Sequence, residues 1–236
     1  MDPALGTVLG AAIGAIAGGS GGLLAIWWQD RLARIQQRLE QEKEERRLRL
    51  LYIHPFRSAT IEFWERTNAL EHWYAEPGER ARLLGWIGQI KDNQSFRHSS
   101  QFLLDCNGVY TFAMNTLHIT ARFLAHAVRT RTETPFRDIN RSFSDELTLS
   151  LFDVRAALND EGYGIYEQLQ DNIGYRMFEG DSVKTYEQFC RSITSETDFP
   201  WYLRLFDYYL DIDNRRRTNI PKVWAALGRL KDILHQ

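Results

Sequence analysis

The apolar positions divide the chain into two regimes. From Ala4 to Trp28 there is no charged residue, and a run of that length is what an α-helix needs to span the hydrocarbon core of a bilayer. Within it Gly6, Gly10, Gly14, Gly18 and Gly22 recur at every fourth position. At about 100° per residue, the glycines, Thr7 and the alanines 4, 11, 15, 17 and 25 share one half of the helical wheel, while Leu5, Val8, Leu9, Ile13, Ile16 and Leu23 take the other. One side is smooth and the other bulky. A groove without side chains lets a second helix approach backbone to backbone, the small-xxx-small pairing of membrane helices. A four-residue period exceeds 3.6, which favours a right-handed crossing over a coiled-coil seam. Gly18–Gly22, written GGSGG, also has the composition of a flexible linker, so a hinge near Ser20 is the alternative to an unbroken helix.

After Trp28 the pattern changes. Residues 29–51 are rich in Gln, Glu, Arg and Leu and contain neither Gly nor Pro, a strong helix composition. Leu32, Ile35 and Leu39 open an a/d/a run that lapses at Lys43 and Arg46. Fewer than three heptads persist, so the segment reads as a charged helical stalk and not as a full coiled coil.

Beyond His54 one amphipathic period follows another. The first helix carries Phe56, Thr60, Phe63, Thr67, Leu70 and Tyr74 on one face and ends at Pro77-Gly78. Leu83, Leu84, Ile87 and Ile90 mark the next, and a short one covers Phe96 to Cys106 before Gly108. From about Val109 to Thr130 apolar residues occupy most of the circumference, the signature of a central helix. Pro135 opens a helix with Ile139, Phe143, Leu147, Leu151, Val154 and Leu158 in register; further periods run through Tyr166–Met177, Tyr186–Ile193, Trp201–Ile212 and Val223–Leu234. No segment alternates strictly between hairpin turns. The expected fold is all-α: 1–3 as a short N-terminus, 4–28 as a transmembrane helix, 29–53 as the stalk, and 54–236 as one bundle of about eight or nine helices.

Charge gives the anchor a direction. Only Met1-Asp2-Pro3 precede the apolar run, whereas Trp27 and Trp28 follow as an interfacial aromatic pair, and then Arg31, Arg34 and Arg38. The positive-inside rule places the C-terminal body in the cytoplasm and the N-terminus outside, in an inner (plasma) membrane. Ala15-Ile16-Ala17 offers a signal-peptidase site, but Asp2 stands where a secretory signal carries a base. The net charge of −2 provides no bulk attraction to nucleic acid, which is not an expected partner. Cys106 and Cys190 lie in apolar helical patterns without C-x-x-C spacing and read as reduced core residues.

Candidate chemistry is sparse. Thr111, Asn115, His118, Arg122, His126 and Arg129 form a narrow polar stripe on the central helix. His118, Arg122 and His126 stand at i, i+4 and i+8, a set suited to binding phosphate or to acid–base work. The competing expectation is that the stripe faces solvent or hydrogen-bonds neighbouring helices. No carboxylate completes it, so no metal site is expected. All-α nucleases of the HEPN architecture use an Arg followed four to six residues later by a His. Arg66 and His72 have that spacing inside a helix, as do Arg229 with His235 and Arg47 or Arg49 with His54, at about the frequency that chance placement gives. Arg215, Arg216 and Arg217 form a candidate anion contact; the preceding Asp211 and Asp213 lack the Gly and closing Glu of an EF-hand. The aromatic cluster Trp201, Tyr202, Phe206, Tyr208 and Tyr209 has helical spacing and reads as core. No P-loop, dinucleotide or nucleophile-elbow motif is present, and no cofactor is expected.

The leading expectation is a membrane-anchored protein that assembles through its glycine face, with the lipid bilayer and copies of itself, or other transmembrane helices, as partners; one version is a pore-forming or membrane-perturbing effector of defence type. An accessory or scaffold subunit of a larger membrane complex and a membrane-tethered HEPN-like ribonuclease are the alternatives.

Overall fold

The computed structural model describes residues 27–73, 77–133, 141–159, 164–210 and 219–235. It divides into two compact units, Met1–Arg47 and Leu48–Gln236. In the first unit, residues 27–47 are helical and exposed almost throughout (α1, whose hydrogen bonding ends at 48). Trp27 and Trp28 meet edge-on at 5.5 Å, and Arg31 lies 5.2 Å over the Trp27 ring. The expected span at 4–28 falls outside the described residues except for these two tryptophans. Among the described residues no helix is long and apolar enough to cross a membrane.

The second unit is an all-α bundle. It begins with a π-helical turn, Arg49–Ile53, closed by the N–H of His54 donating to the Arg49 carbonyl. Five residues on an ordinary α-helix would turn about 140° past a full circle, whereas a π-turn brings such positions close to one side. That is how Leu48 and Ile53 are both buried. Helix α2 (His54–Trp73) follows. Its face of Phe56, Thr60, Phe63, Thr67 and Leu70 is fully buried. The two threonines belong there because their hydroxyls donate to the carbonyls of Phe56 and Phe63, at 2.8 and 2.7 Å, and leave no polar atom unmatched.

Helices α3 (Pro77–Asp92), α4 (Gln94–Arg97) and α5 (Ser100–Asn107) lead to the long α6 (Thr111–Glu133). The one short helix expected over Phe96 to Cys106 is in fact two. Ser99 takes an extended backbone, and its hydroxyl accepts the N–H of Phe102, so it serves as an N-cap where the apolar spacing alone reads as continuous helix. Arg97 is buried at the break and donates to the Ile90 carbonyl at 2.6 Å, with its guanidinium 4.2 Å over the Phe199 ring.

Helix α6 is buried around most of its circumference and packs against α2, α5 and two later helices, α8 (Glu167–Arg176) and α9 (Tyr186–Thr194). Phe123 meets Phe56 and Phe63 at ring distances of 5.7 and 5.1 Å. Helices α7 (Arg141–Leu158), α10 (Phe199–Leu210) and α11 (Ile220–Ile233) complete the unit, with α11 lying on α2 and α7. Tyr202, Phe206, Tyr208 and Tyr209 are buried on α10, as core. Arg155, also buried, holds α7 to α8 through the Glu167 carbonyl and the Asp171 carboxylate, each at 3.1 Å.

One element departs from the helical expectation. Phe178–Glu179 (β1) pairs antiparallel with Ser182–Val183 (β2) across a two-residue loop. Gly180 opens that loop at a φ of 61°, in the left-handed region that favours glycine. The Gly-Asp pair at 180–181 is a hairpin signal, but strands of two residues are too short for alternation to register.

Close approach makes another glycine structural. A Cβ on Gly174 of α8 would stand 2.7 Å from the Leu124 carbonyl oxygen of α6 and 3.3 Å from the Ala125 Cα. Both obstacles are backbone, so neither can swing aside. Gly174→Ala is expected to destabilise the body by about 1–3 kcal/mol. Gly85 and Gly88, inside α3, have open space at the Cβ position, and Ala at either is expected to stabilise by roughly 0.5–1 kcal/mol. Chemical denaturation of the three variants checks both signs.

Candidate functional site

Two helix faces meet at an open cleft. On α2, Glu62, Glu65, Arg66 and Ala69 follow at i, i+3, i+4 and i+7, the spacing of one exposed stripe. On α6, Asn115, His118, Ile119 and Arg122 repeat that spacing, with Phe112 one turn earlier. These residues and Tyr186 from the first turn of α9 line a cleft of about 620 Å³, within the size range of small-molecule sites.

The polar stripe expected on α6 is therefore not a solvent strip. His118 and His126 are both buried. The Nε2–H of His118 donates to the Lys184 carbonyl at 3.1 Å, since that oxygen can only accept. The imidazole ring packs edge-on against Tyr186 at 5.7 Å and against Phe189 at 5.5 Å. Burial lowers the His118 pKa, although the Lys184 carbonyl opposes it. The ring is accordingly neutral near pH 7, with Nδ1 as its free acceptor.

The two cleft arginines differ in kind. Arg122 grips the Glu62 carboxylate with two nitrogens, at 2.9 and 3.2 Å, so its charge is matched in the planar, paired geometry that guanidinium favours. Arg66 lies 4.3 Å over the face of Phe112, a cation–π contact. It has no carboxylate or carbonyl partner among the described residues. Burial works against its charge, with a weaker opposing pull from Tyr209, yet a guanidinium stays protonated under such conditions.

Of the residues singled out from sequence, Arg66, His118 and Arg122 thus share one cleft. His72 lies at the end of α2, and its side chain is outside the described residues. His126, two turns beyond His118, makes no hydrogen bond among the described residues. Of the other Arg–His pairs, His235 is bonded to Arg57 at 2.6 Å while Arg229 is held by Asp153 at 3.0 Å; each is engaged elsewhere. Arg34 pairs with Asp30 on α1, and Arg38 is exposed there. Gly6, Gly10, Gly14, Gly18, Gly22, Arg215, Arg216 and Arg217 lie outside the described residues. Among the described residues no group of three His, Cys, Asp or Glu side chains is placed to hold a metal ion.

Sequence reasoning missed Glu62 and Tyr186. The signal for Glu62 was present: it precedes Arg66 by four residues and flanks the buried Phe63, so it belongs on the border of the apolar face. Tyr186 had none, because only the tertiary fold brings α9 to α6.

No family model, no curated protein and no solved structure matches this chain. The reading of function rests on the residues themselves.

His126 yields a pH prediction. Burial, reinforced by the Arg122 and Arg129 cations, pushes its pKa down to about 4. The folded value lies below the unfolded one of roughly 6.5, so the unfolded chain takes up the proton first. Stability from this group is complete above about pH 6.5, falls as pH drops toward 4, and levels off below that, at a total loss of about 3 kcal/mol. His126→Gln is expected to flatten that part of the stability profile. Denaturation at steps between pH 7 and pH 4, compared between wild type and variant, isolates the contribution.

Proposed function

We propose that this chain is a single-pass membrane-anchored helical protein that assembles with copies of itself through the glycine face of residues 4–28, its helical body on the cytoplasmic side. The observation that carries the reading is the four-residue ladder Gly6, Gly10, Gly14, Gly18 and Gly22 inside a run without charge. A helix packing only against lipid has no need of a side-chain-free groove, whereas a helix packing against another gains van der Waals contact from it.

Support comes from the helix that follows. Carried forward on a continuous helix, Trp28, Leu32, Ile35 and Leu39 fall within about 40° of Gly10. These four side chains are 45% to 55% exposed on α1, a run of large apolar residues without cover. On such a helix the apolar stripe of the stalk and the start of the glycine ladder would share one side. Trp27 and Trp28 suit the headgroup boundary, and Arg31, Arg34 and Arg38 the anionic inner surface just beyond it.

In one form of this proposal, the defence-type pore former, many anchors make a ring. Small residues packed together with no charged lumen would conduct poorly until rearranged, which ranks plain assembly ahead of a standing pore.

Purified full-length protein in detergent, sized by light scattering, tests the reading. The wild type is expected to be oligomeric, and Gly10→Leu and Gly14→Leu, each of which fills the groove, to shift it toward monomer. A monomeric wild type, or an oligomer indifferent to both substitutions, overturns self-assembly and favours the accessory-subunit alternative, in which the groove receives a different protein's helix.

A further inference from the structure

We propose that the cleft between α2 and α6 is a binding site for a small organic anion: one carboxylate or phosphate group on an apolar body, seated with its charge on Arg66. The inference is independent of the anchor and concerns the body alone.

Among the described residues the cleft has two cations, and a carboxylate neutralises only one of them. Glu62 satisfies Arg122 in a paired hydrogen bond, so that pair forms a rigid end wall and leaves little charge to offer. Arg66 is different. It is half-buried, is held in place over Phe112, and has its N–H groups unclaimed by any described residue. A partly desolvated guanidinium is costly to maintain unless something accepts its protons. A carboxylate or phosphate does so better than water, because the planar fork matches two oxygens at once.

Two further groups point the same way. Asn115 lines the cleft on the turn after Phe112 and makes no hydrogen bond to a described residue, so its amide is free to donate and accept. His118, fixed by the Lys184 carbonyl at Nε2, keeps Nδ1 as a fixed acceptor. Between these polar groups the walls are apolar: Phe112, Ile119, Ala69 and the Tyr186 ring. One free cation, a free amide and one free acceptor, set among rings and aliphatic side chains, is the make-up of a site that orients an amphiphilic ligand with one anionic group. Glu65, exposed at the rim without an ion pair among the described residues, disfavours ligands of high negative charge. The single unmatched arginine sets the preference at one anionic group.

The test uses full-length protein in detergent and isothermal titration with benzoate, adenosine 5′-monophosphate, inorganic phosphate and uncharged adenosine. Benzoate or adenosine monophosphate is expected to bind, adenosine at least about tenfold more weakly than its monophosphate, and inorganic phosphate more weakly than either organic anion, for want of a body to fill the cleft. Arg66→Gln is expected to lower affinity for the organic anion by about tenfold or more, as loss of a charge-assisted hydrogen bond predicts, with its thermal unfolding followed alongside. Should Arg66→Gln not fold, Asn115→Leu, a half-buried lining position, removes the amide and crowds the cleft, and is expected to weaken binding as well. Binding of neither organic anion at millimolar concentration, or affinity unchanged in a folded Arg66→Gln or Asn115→Leu protein, overturns the proposal. The oligomeric state of the same samples is read separately, so a failure here does not bear on the anchor.

Discussion

The body depends on the burial of α6 on nearly all sides. A helix enclosed in that way gains from matching the polar groups it carries, because water reaches few of them. It does this in part from within. The hydroxyls of Thr116, Thr120 and Thr132 donate to the carbonyls four residues earlier, at 2.7 to 2.9 Å. Thr120 also meets the Tyr209 hydroxyl at 2.6 Å, and His118 finds a carbonyl in the segment after the hairpin. The surrounding helices are therefore selected for hydrogen-bonding partners at particular heights along α6 as well as for apolar surface. Gly174 belongs to the same constraint: α8 delivers its side chains to α6 only because its backbone can touch the Leu124 carbonyl.

How far this was legible in the sequence follows from how far each interaction reaches. The buried face of α2 could be read from Phe56 to Leu70, since one period of 3.6 and a run of large residues suffice. The central place of α6 followed from the width of its apolar arc. The break at Ser99 was hidden because Phe96, Leu103 and Cys106 keep a helical rhythm across a residue whose capping bond is local and polar. The hairpin at Gly180 was hidden by its brevity. Buried arginines were the largest blind spot. Arg97 and Arg155 look like surface residues in any pattern of polar positions, yet each is enclosed and holds carbonyls or carboxylates across helices.

The cleft was half legible. Arg66, His118 and Arg122 could each be singled out by type and spacing, but spacing along one helix did not join Arg66 to the other two. Its spacing to His72 runs along one helix, whereas the ring it covers, Phe112, is on α6. Local periodicity places a residue on a face of its own helix and says nothing of which other face it meets. The distinction between a matched and an unmatched guanidinium, on which the chemistry of the cleft turns, exists only in three dimensions.

Tyr186 gives the cleft a mechanical connection. Its ring forms one wall and leans on His118, while its hydroxyl donates to the Cys106 carbonyl at 2.6 Å, near the C-terminal end of α5. It stands in the first turn of α9, whose start is fixed by a reciprocal bond between Thr185 and Gln188. A rotation of that ring about its own axis leaves the hydroxyl where it is, but a displacement of the ring carries the hydroxyl away from α5. The same side chain is thus a wall and a strut, and a displacement of that wall is felt as tension between α9 and α5, two helices that do not otherwise border the cleft.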